Sequence, residues 1–154
     1  MSNSWFQFKQ FRIAQDRCAM KVTTDACILG AWVPVLPQVK CVLDIGAGTG
    51  LLSLMLAQRS SSGVIDAIEL DGDAAAQARE NIGESPWKGR INITEGDVCG
   101  HQFEHKYDLI ISNPPFFNDS LLSDKAEKNM ARHTGALSYT ALADVCVNNL
   151  NENG

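Results

Sequence analysis

Asn113-Pro114-Pro115-Phe116 places an amide, two residues lacking a backbone N–H, and an aromatic ring in direct succession. Consecutive prolines fix their own φ and donate nothing, so nearby carbonyls are free to point outward. Asn113 adds a side-chain carbonyl oxygen at the same place. Such a set suits a flat amino group carried on a ring. That nitrogen shares its lone pair with the ring and attacks poorly until acceptors grip both N–H bonds and draw it toward a tetrahedral shape. Phe116 gives a face on which a flat ring can stack. No base of tuned pKa is needed, because the proton can leave through the acceptors after transfer. The bland alternative is a rigid turn between a strand and the next helix, and the rest of the chain has to decide.

A second stretch, Asp44-Ile45-Gly46-Ala47-Gly48-Thr49-Gly50, reads as strand, glycine turn and helix start. Glycines let the backbone turn sharply and approach a ligand, with helix-terminal N–H groups exposed to it. A dinucleotide loop requires G-x-G-x-x-G, whereas here the last glycine arrives one residue early and Leu51 takes the third position. Asp44 also sits where a pyrophosphate would be repelled. S-adenosylmethionine carries a sulfonium, an ammonium and a ribose in place of phosphate, so the pattern points to a methyl donor. Glu69, at the end of the next apolar run, is placed to accept from ribose hydroxyls. Asp97, after Gly96, can accept from an adenine amino group, and Val98 can lie against the ring. Gly46, Gly48, Gly50, Glu69, Asp97 and Val98 are thus the cofactor candidates beside Asp44.

The elements that must position these groups follow from periodicity and punctuation. A helix is predicted over 25–32, with Thr23 or Thr24 as its cap and Pro34 and Pro37 closing it. Residues 41–45 form a strand, 51–58 a helix, 64–68 a second strand, and Asp71 caps an alanine-rich helix to about Ile82. Residues 91–94 and 107–112 give third and fourth strands, and 139–150 an amphipathic helix. Strands alternating with helices make an α/β fold with a parallel, doubly wound, Rossmann-like sheet, whose ligand sites lie at the carboxyl ends of its strands. Every candidate above falls at such an end.

The chain has 154 residues, the length of one domain, with an arm over about 1–22 ahead of a core over 23–154. Its 45% hydrophobic and 20% charged content is that of a globular protein and argues against disorder. No apolar run reaches the length of a membrane helix, and the first residues carry no basic-then-apolar signal, so a cytoplasmic location is expected. Five cysteines without a CxxC pair suggest neither a zinc site nor a disulfide framework, and no metal is expected. The net charge of −5 runs against a nucleic-acid partner when read globally. Locally, Lys9, Arg12, Arg17 and Lys21 stand among Trp5, Phe6, Phe8 and Phe11 with one acid, Asp16. This arm can contact RNA phosphates and bases, or it can be a strand packed on the core with solvated charges.

The residues 44–50, Glu69, Asp97 and 113–116 together resemble class I methyltransferases that modify exocyclic or amide nitrogens. More narrowly, the chain resembles the bacterial tRNA(Val) adenine-N6 methyltransferases. That match runs through Phe8-Lys9-Gln10-Phe11, Arg17-Cys18-Ala19-Met20-Lys21-Val22, Thr24-Asp25, Leu29-Gly30-Ala31-Trp32, residues 113–117 and Ala131-Arg132-His133-Thr134. The resemblance implies transfer of a methyl group from S-adenosylmethionine to N6 of the adenine 3′ of the anticodon. It adds Thr24 and Asn113 to the cofactor residues and Arg132 to the tRNA contacts. The N-P-P-F motif is shared with guanine-N2 enzymes of ribosomal RNA, and DNA-adenine or protein-glutamine transfer uses the same chemistry. Glutamine enzymes usually carry Tyr where Phe116 stands. Similar proteins continue well beyond Asn151-Glu152-Asn153-Gly154, a turn expected to lead into a fifth strand. On that reading only strands one to four of the sheet are present, the fourth becomes an edge, and the chain can be an inactive binding module.

Overall fold

The computed structural model describes residues 3–61, 63–114 and 137–154. An antiparallel hairpin, β1 (Trp5–Gln7) and β2 (Arg12–Ala14), precedes α1 (Thr24–Trp32). β3 (Cys41–Ile45), α2 (Leu51–Arg59), β4 (Val64–Glu69), α3 (Gly72–Gly83), β5 (Ile91–Glu95), β6 (Leu109–Ser112) and α4 (Tyr139–Asn149) follow. The core sheet is parallel with strand order β5-β4-β3-β6, the alternating architecture expected from the sequence. The chain first runs outward from β3 through β4 to β5, then crosses back to place β6 on the other side of β3.

Local chemistry sets the helix starts. Thr23, rather than Thr24, caps α1 by accepting from the N–H of Ala26 at 3.2 Å. Asp71 caps α3 through the N–H of Ala74 at 2.8 Å, and Ser138 caps α4 through that of Ala141 at 3.1 Å. β6 is shorter than the predicted 107–112. Asp108 spends Oδ2 on the N–H groups of Lys40 and Cys41, at 2.8 and 3.0 Å, fastening the start of β3. Tyr107 instead makes a single parallel bridge to Leu150, so the residues after α4 run beside the beginning of β6. In the hairpin Phe11 and Ile13 join the core while Trp5, Phe6 and Arg12 stay exposed.

Alternation along the strands sorts side chains onto two faces. Val42, Ile65, Ile91 and Ile111 meet Leu54, Leu56 and Ala57 of α2 and Ala78 and Ile82 of α3 in one cluster. Leu43, Ile45 and Ile68 meet Val98, Tyr107 and Val145 in another. Among the described residues, no helix is long and apolar enough to cross a membrane.

Candidate functional site

The strand order brings the candidate residues into one row. Asp97 follows β5, Glu69 ends β4, the 46–50 loop follows β3, and Asn113 follows β6. Three strand spacings separate the ends of that row, about 14 Å.

At its centre Gly46, Gly48 and Gly50 have φ of 72°, 53° and 79°, a region that side chains disfavour. A Cβ at Gly46 or Gly48 would meet nothing within 4 Å, so the space over the loop is open. Gly50 instead lies 3.5 Å, at the Cβ position, from Ala78 of α3, and its glycine serves packing as well as turning. Four backbone N–H groups of the loop itself are committed within the chain. The N–H groups of Gly46 and Ala47 donate to the carbonyl of Ile68, that of Gly50 to Ala47, and that of Gly48 to Oε2 of Glu69 at 2.8 Å. These four donors are spent internally. What it presents is carboxylate.

Glu69 is half-buried and accepts from Gly48 through one oxygen and from the N–H of Asp71 through the other, at 2.9 Å. Each oxygen keeps a further lone pair for a hydroxyl donor. Asp44 lies beneath, fully buried. Its Oδ2 accepts from the backbone N–H and the hydroxyl of Ser53, at 3.1 and 2.6 Å, while Oδ1 has no partner. Burial, reinforced by the charge of Glu69 and opposed by the Ser53 bonds, pushes the Asp44 carboxyl up to about 6. A buried acid lacking a counter-charge, an acid with spare acceptor capacity and an open glycine turn suit a cationic ligand bearing hydroxyls.

The remaining candidates divide. Asp97 is exposed and commits Oδ1 to the N–H of Cys99 at 2.9 Å. Val98 is packed in the second core cluster, 8% exposed, and offers little surface to a ring. Thr24 stands exposed at the first turn of α1. Asn113 and Pro114 are half-buried directly after β6, whose last residue, Ser112, donates its hydroxyl to the carbonyl of Ile45 at 2.8 Å. That bond ties the start of the Asn113 loop to the strand bearing the glycine turn. Pro115, Phe116 and Arg132 lie outside the described residues. Of the arm's cations, Arg17 pairs with Glu80 and the Arg12 guanidinium sits 4.5 Å over the Trp5 ring, while Lys9 and Lys21 are exposed.

Sequence reasoning missed the buried amides that join arm to site. Gln77 and Asn81, one turn apart on α3, are 1% and 3% exposed. Gln77 accepts from the N–H of Arg17 at 3.0 Å and donates to Asp16 at 2.7 Å. Asn81 exchanges two bonds with the backbone of Ala14 and donates to the carbonyl of Thr49 in the glycine loop at 2.9 Å. Two polar residues spaced i, i+4 within an alanine stripe were the available signal. Cys18 is buried nearby, its thiol raised to about 11 by burial first and then by the charges of Glu69 and Asp71.

Residues 28–139 match the family described as methyltransferase small domain. A tRNA1(Val) (adenine(37)-N6)-methyltransferase of Tolumonas auensis is 54% identical over 145 residues, covering 94% of this chain and 60% of that protein. The protein of the same name from Dyadobacter fermentans is 52% identical over 140 residues, covering 91% of this chain and 58% of its own length. The chain therefore spans about three fifths of these relatives. Among solved structures, a SAM-dependent methyltransferase from Thiobacillus denitrificans in complex with S-adenosyl-L-homocysteine aligns with a TM-score of 0.62. It is 18% identical, over 90% of this chain and 49% of that one, a likeness of fold.

Proposed function

Since this chain belongs to the methyltransferase small-domain family, we propose that it takes part in methyl transfer from S-adenosylmethionine to N6 of adenine 37 in tRNA(Val). The donor, when bound, supplies an electrophilic methyl carbon on a sulfonium. The chain's own groups then have separable tasks. Glu69 accepts from the ribose hydroxyls with the lone pairs that Gly48 and Asp71 leave free. Asp97 accepts at the adenine end, and Asp44 offers negative charge beneath a cationic centre. Gly46 and Gly48 leave the room that a side chain would take. Asn113 accepts one N–H of the exocyclic amine through Oδ1, and the Pro114 carbonyl accepts the other, which localises the nitrogen lone pair. Phe116 supplies the ring on which the base stacks. Lys9, Arg12, Arg17, Lys21 and Arg132 are the cations offered to the tRNA backbone.

The observation that carries this reading is the single row of acids, open glycine turn and Asn113 along one edge of the sheet, with the unpartnered Asp44 oxygen below it. The relatives' printed names support adenine 37 as the acceptor over other flat amines. The test is label transfer from methyl-labelled S-adenosylmethionine to a tRNA(Val) transcript, alongside a transcript with guanine at position 37. Label on the first and not on the second is the expected result. Equal label on both would overturn the adenine assignment, and label on neither, or turnover unchanged by Asn113→Ala, would overturn the proposed role of this site.

A further inference from the structure

Asn113 can grip an amino group only in one of its two amide orientations. Its Oδ1 accepts from an N–H, while its Nδ2 carries donors and would oppose one. Among the described residues, one discriminating atom is placed beside this amide. Met20 Sδ lies 4.0 Å from Asn113 Nδ2, within reach of an N–H···S contact. A thioether only accepts, so it favours the orientation that turns Nδ2 toward residue 20 and Oδ1 away from it. Met20 is 93 residues distant in sequence and arrives from the arm.

Its delivery is over-determined. Gln15, 6% exposed, accepts from the N–H of Val22 at 2.8 Å and donates to the carbonyl of Asn3 at 2.9 Å, closing the segment on itself. Gln77 holds Asp16 and the backbone of Arg17, and Asn81 holds Ala14 together with the glycine loop. Three buried side-chain amides thus place their polar atoms on this one stretch. Burying amides is costly unless every bond is made, and an arm needed only to cover apolar surface would require none of them. The same stretch carries Cys18 close enough to Glu69 for the acid's charge to raise its thiol. It therefore runs from the β4 acid to the Asn113 loop, while Met20 itself is left 39% exposed at the end of that path.

We infer that Met20 is a positioning residue for the acceptor: its sulfur holds the Asn113 amide with Oδ1 presented to the incoming amine. The inference rests on the amino-grip reading of Asn113 and deepens it. A packing role and an acceptor role make opposite demands at residue 20. Leucine keeps the volume and apolar character but loses the acceptor, a swap that packing tolerates. Glutamine keeps the length and restores an acceptor oxygen but is polar.

The experiment compares wild type, Met20→Leu, Met20→Gln and Asn113→Ala in the full chain. One readout is the side-chain amide resonances of Asn113, assigned by their loss in Asn113→Ala; the other is methyl transfer to the tRNA(Val) transcript. In Met20→Leu the Asn113 amide pair is expected to shift and rotate faster, and kcat to fall about three- to tenfold with S-adenosylmethionine affinity unchanged. Met20→Gln is expected to recover both. Unmoved Asn113 resonances in Met20→Leu overturn the inference, with or without turnover, and so does a leucine variant that works better than the glutamine one. If Asn113→Ala turns over normally, the amino-grip reading itself has failed and this inference falls with it. If Asn113→Ala is dead while Met20→Leu matches wild type in both readouts, that reading stands and only Met20 is released.

Discussion

The two faces of the parallel sheet are covered in different ways. On one, α2 and α3 lie directly over the strands, α1 packs against α2, and the N-terminal hairpin packs against α3. Leu54, Leu56 and Ala57 are fully buried there. On the other, among the described residues, the 96–107 loop and α4 cover β3 and β6, while Asp66 of β4 and Thr94 of β5 border an open cleft of about 280 Å³. His101, Phe103 and His105 line the same cleft. The groups with a functional reading divide unevenly between the faces. Asp44 and Glu69 belong to the sealed side by strand alternation, and Asp44 is bonded to Ser53 of α2. Gly50 rests on α3, and Asn81 of α3 holds the glycine loop. The sealed face is the jig for the site. The open face supports the strands from behind.

Equal truncations on the two sides sharpen that contrast most. Leu54→Ala removes a fully buried side chain from α2, where close packing leaves little room for relaxation, and is expected to cost about 2–5 kcal/mol. Leu142→Ala in α4 removes a half-buried one and is expected to cost about 1 kcal/mol. Urea unfolding of both variants measures the difference. Equal losses would mean that the second face is sealed as tightly as the first, and the division above would be wrong.

The acid buried on the sealed side gives the next effect. Asp44 titrates near 6 when folded, against 3.8 for the free side chain. The folded state therefore binds the extra proton between those values. Stability from this group is fully present below about pH 4 and is lost as pH rises through 6, on the order of 3 kcal/mol. Asp44→Asn keeps an acceptor for Ser53 and cannot ionise. It is expected to be about 2 kcal/mol more stable than wild type at pH 8, with a flatter profile between pH 4 and 7, and to bind S-adenosylmethionine more weakly. Denaturation at pH 4.5 and pH 8 provides the check. A wild-type slope retained in the variant would assign the titration to another group.

How much of this was legible follows the range of the interactions. Strand–loop–helix units such as 41–59 and 64–83 are fixed by local apolar runs, caps and glycines, so their bounds and the row of strand ends could be read directly. The hairpin was not, because Trp5–Gln7 and Arg12–Ala14 are short, the first is exposed throughout, and the burial of Ile13 in the second depends on α3 far along the chain. Nor could spacing show that the loop N–H groups are spent on Ile68, Ala47 and Glu69, since that depends on how β4 lies against β3. Val98 was read as a ligand face from its position after β5, and spacing could not show that its side chain also packs in the second core cluster. Tyr107 read as strand because it is apolar and precedes Leu109, yet its backbone goes to Leu150 and its side chain to the open face.

That tyrosine gives the smallest and most discriminating effect. Its ring is 2% exposed and its hydroxyl donates to Oδ2 of Asp66 at 2.9 Å, while burial and the neighbouring carboxylate raise the phenol above its ordinary range and keep it protonated. Asp66 lies on the cleft, accepts from Asn92 through its other oxygen at 2.9 Å, and has His105 at 3.4 Å. It is only partly buried, so water can replace the lost hydroxyl, and the desolvation cost of an orphaned acceptor does not arise. Tyr107→Phe is therefore expected to cost about 1 kcal/mol and to leave S-adenosylmethionine binding and methyl transfer within twofold of wild type. Denaturant unfolding beside calorimetric titration of the donor gives both numbers. A loss above about 3 kcal/mol, the scale of a broken buried pair, or a tenfold drop in donor affinity, would show that the open face also fixes the strand ends. The site would then depend on both faces of the sheet, and the cleft would be part of its support.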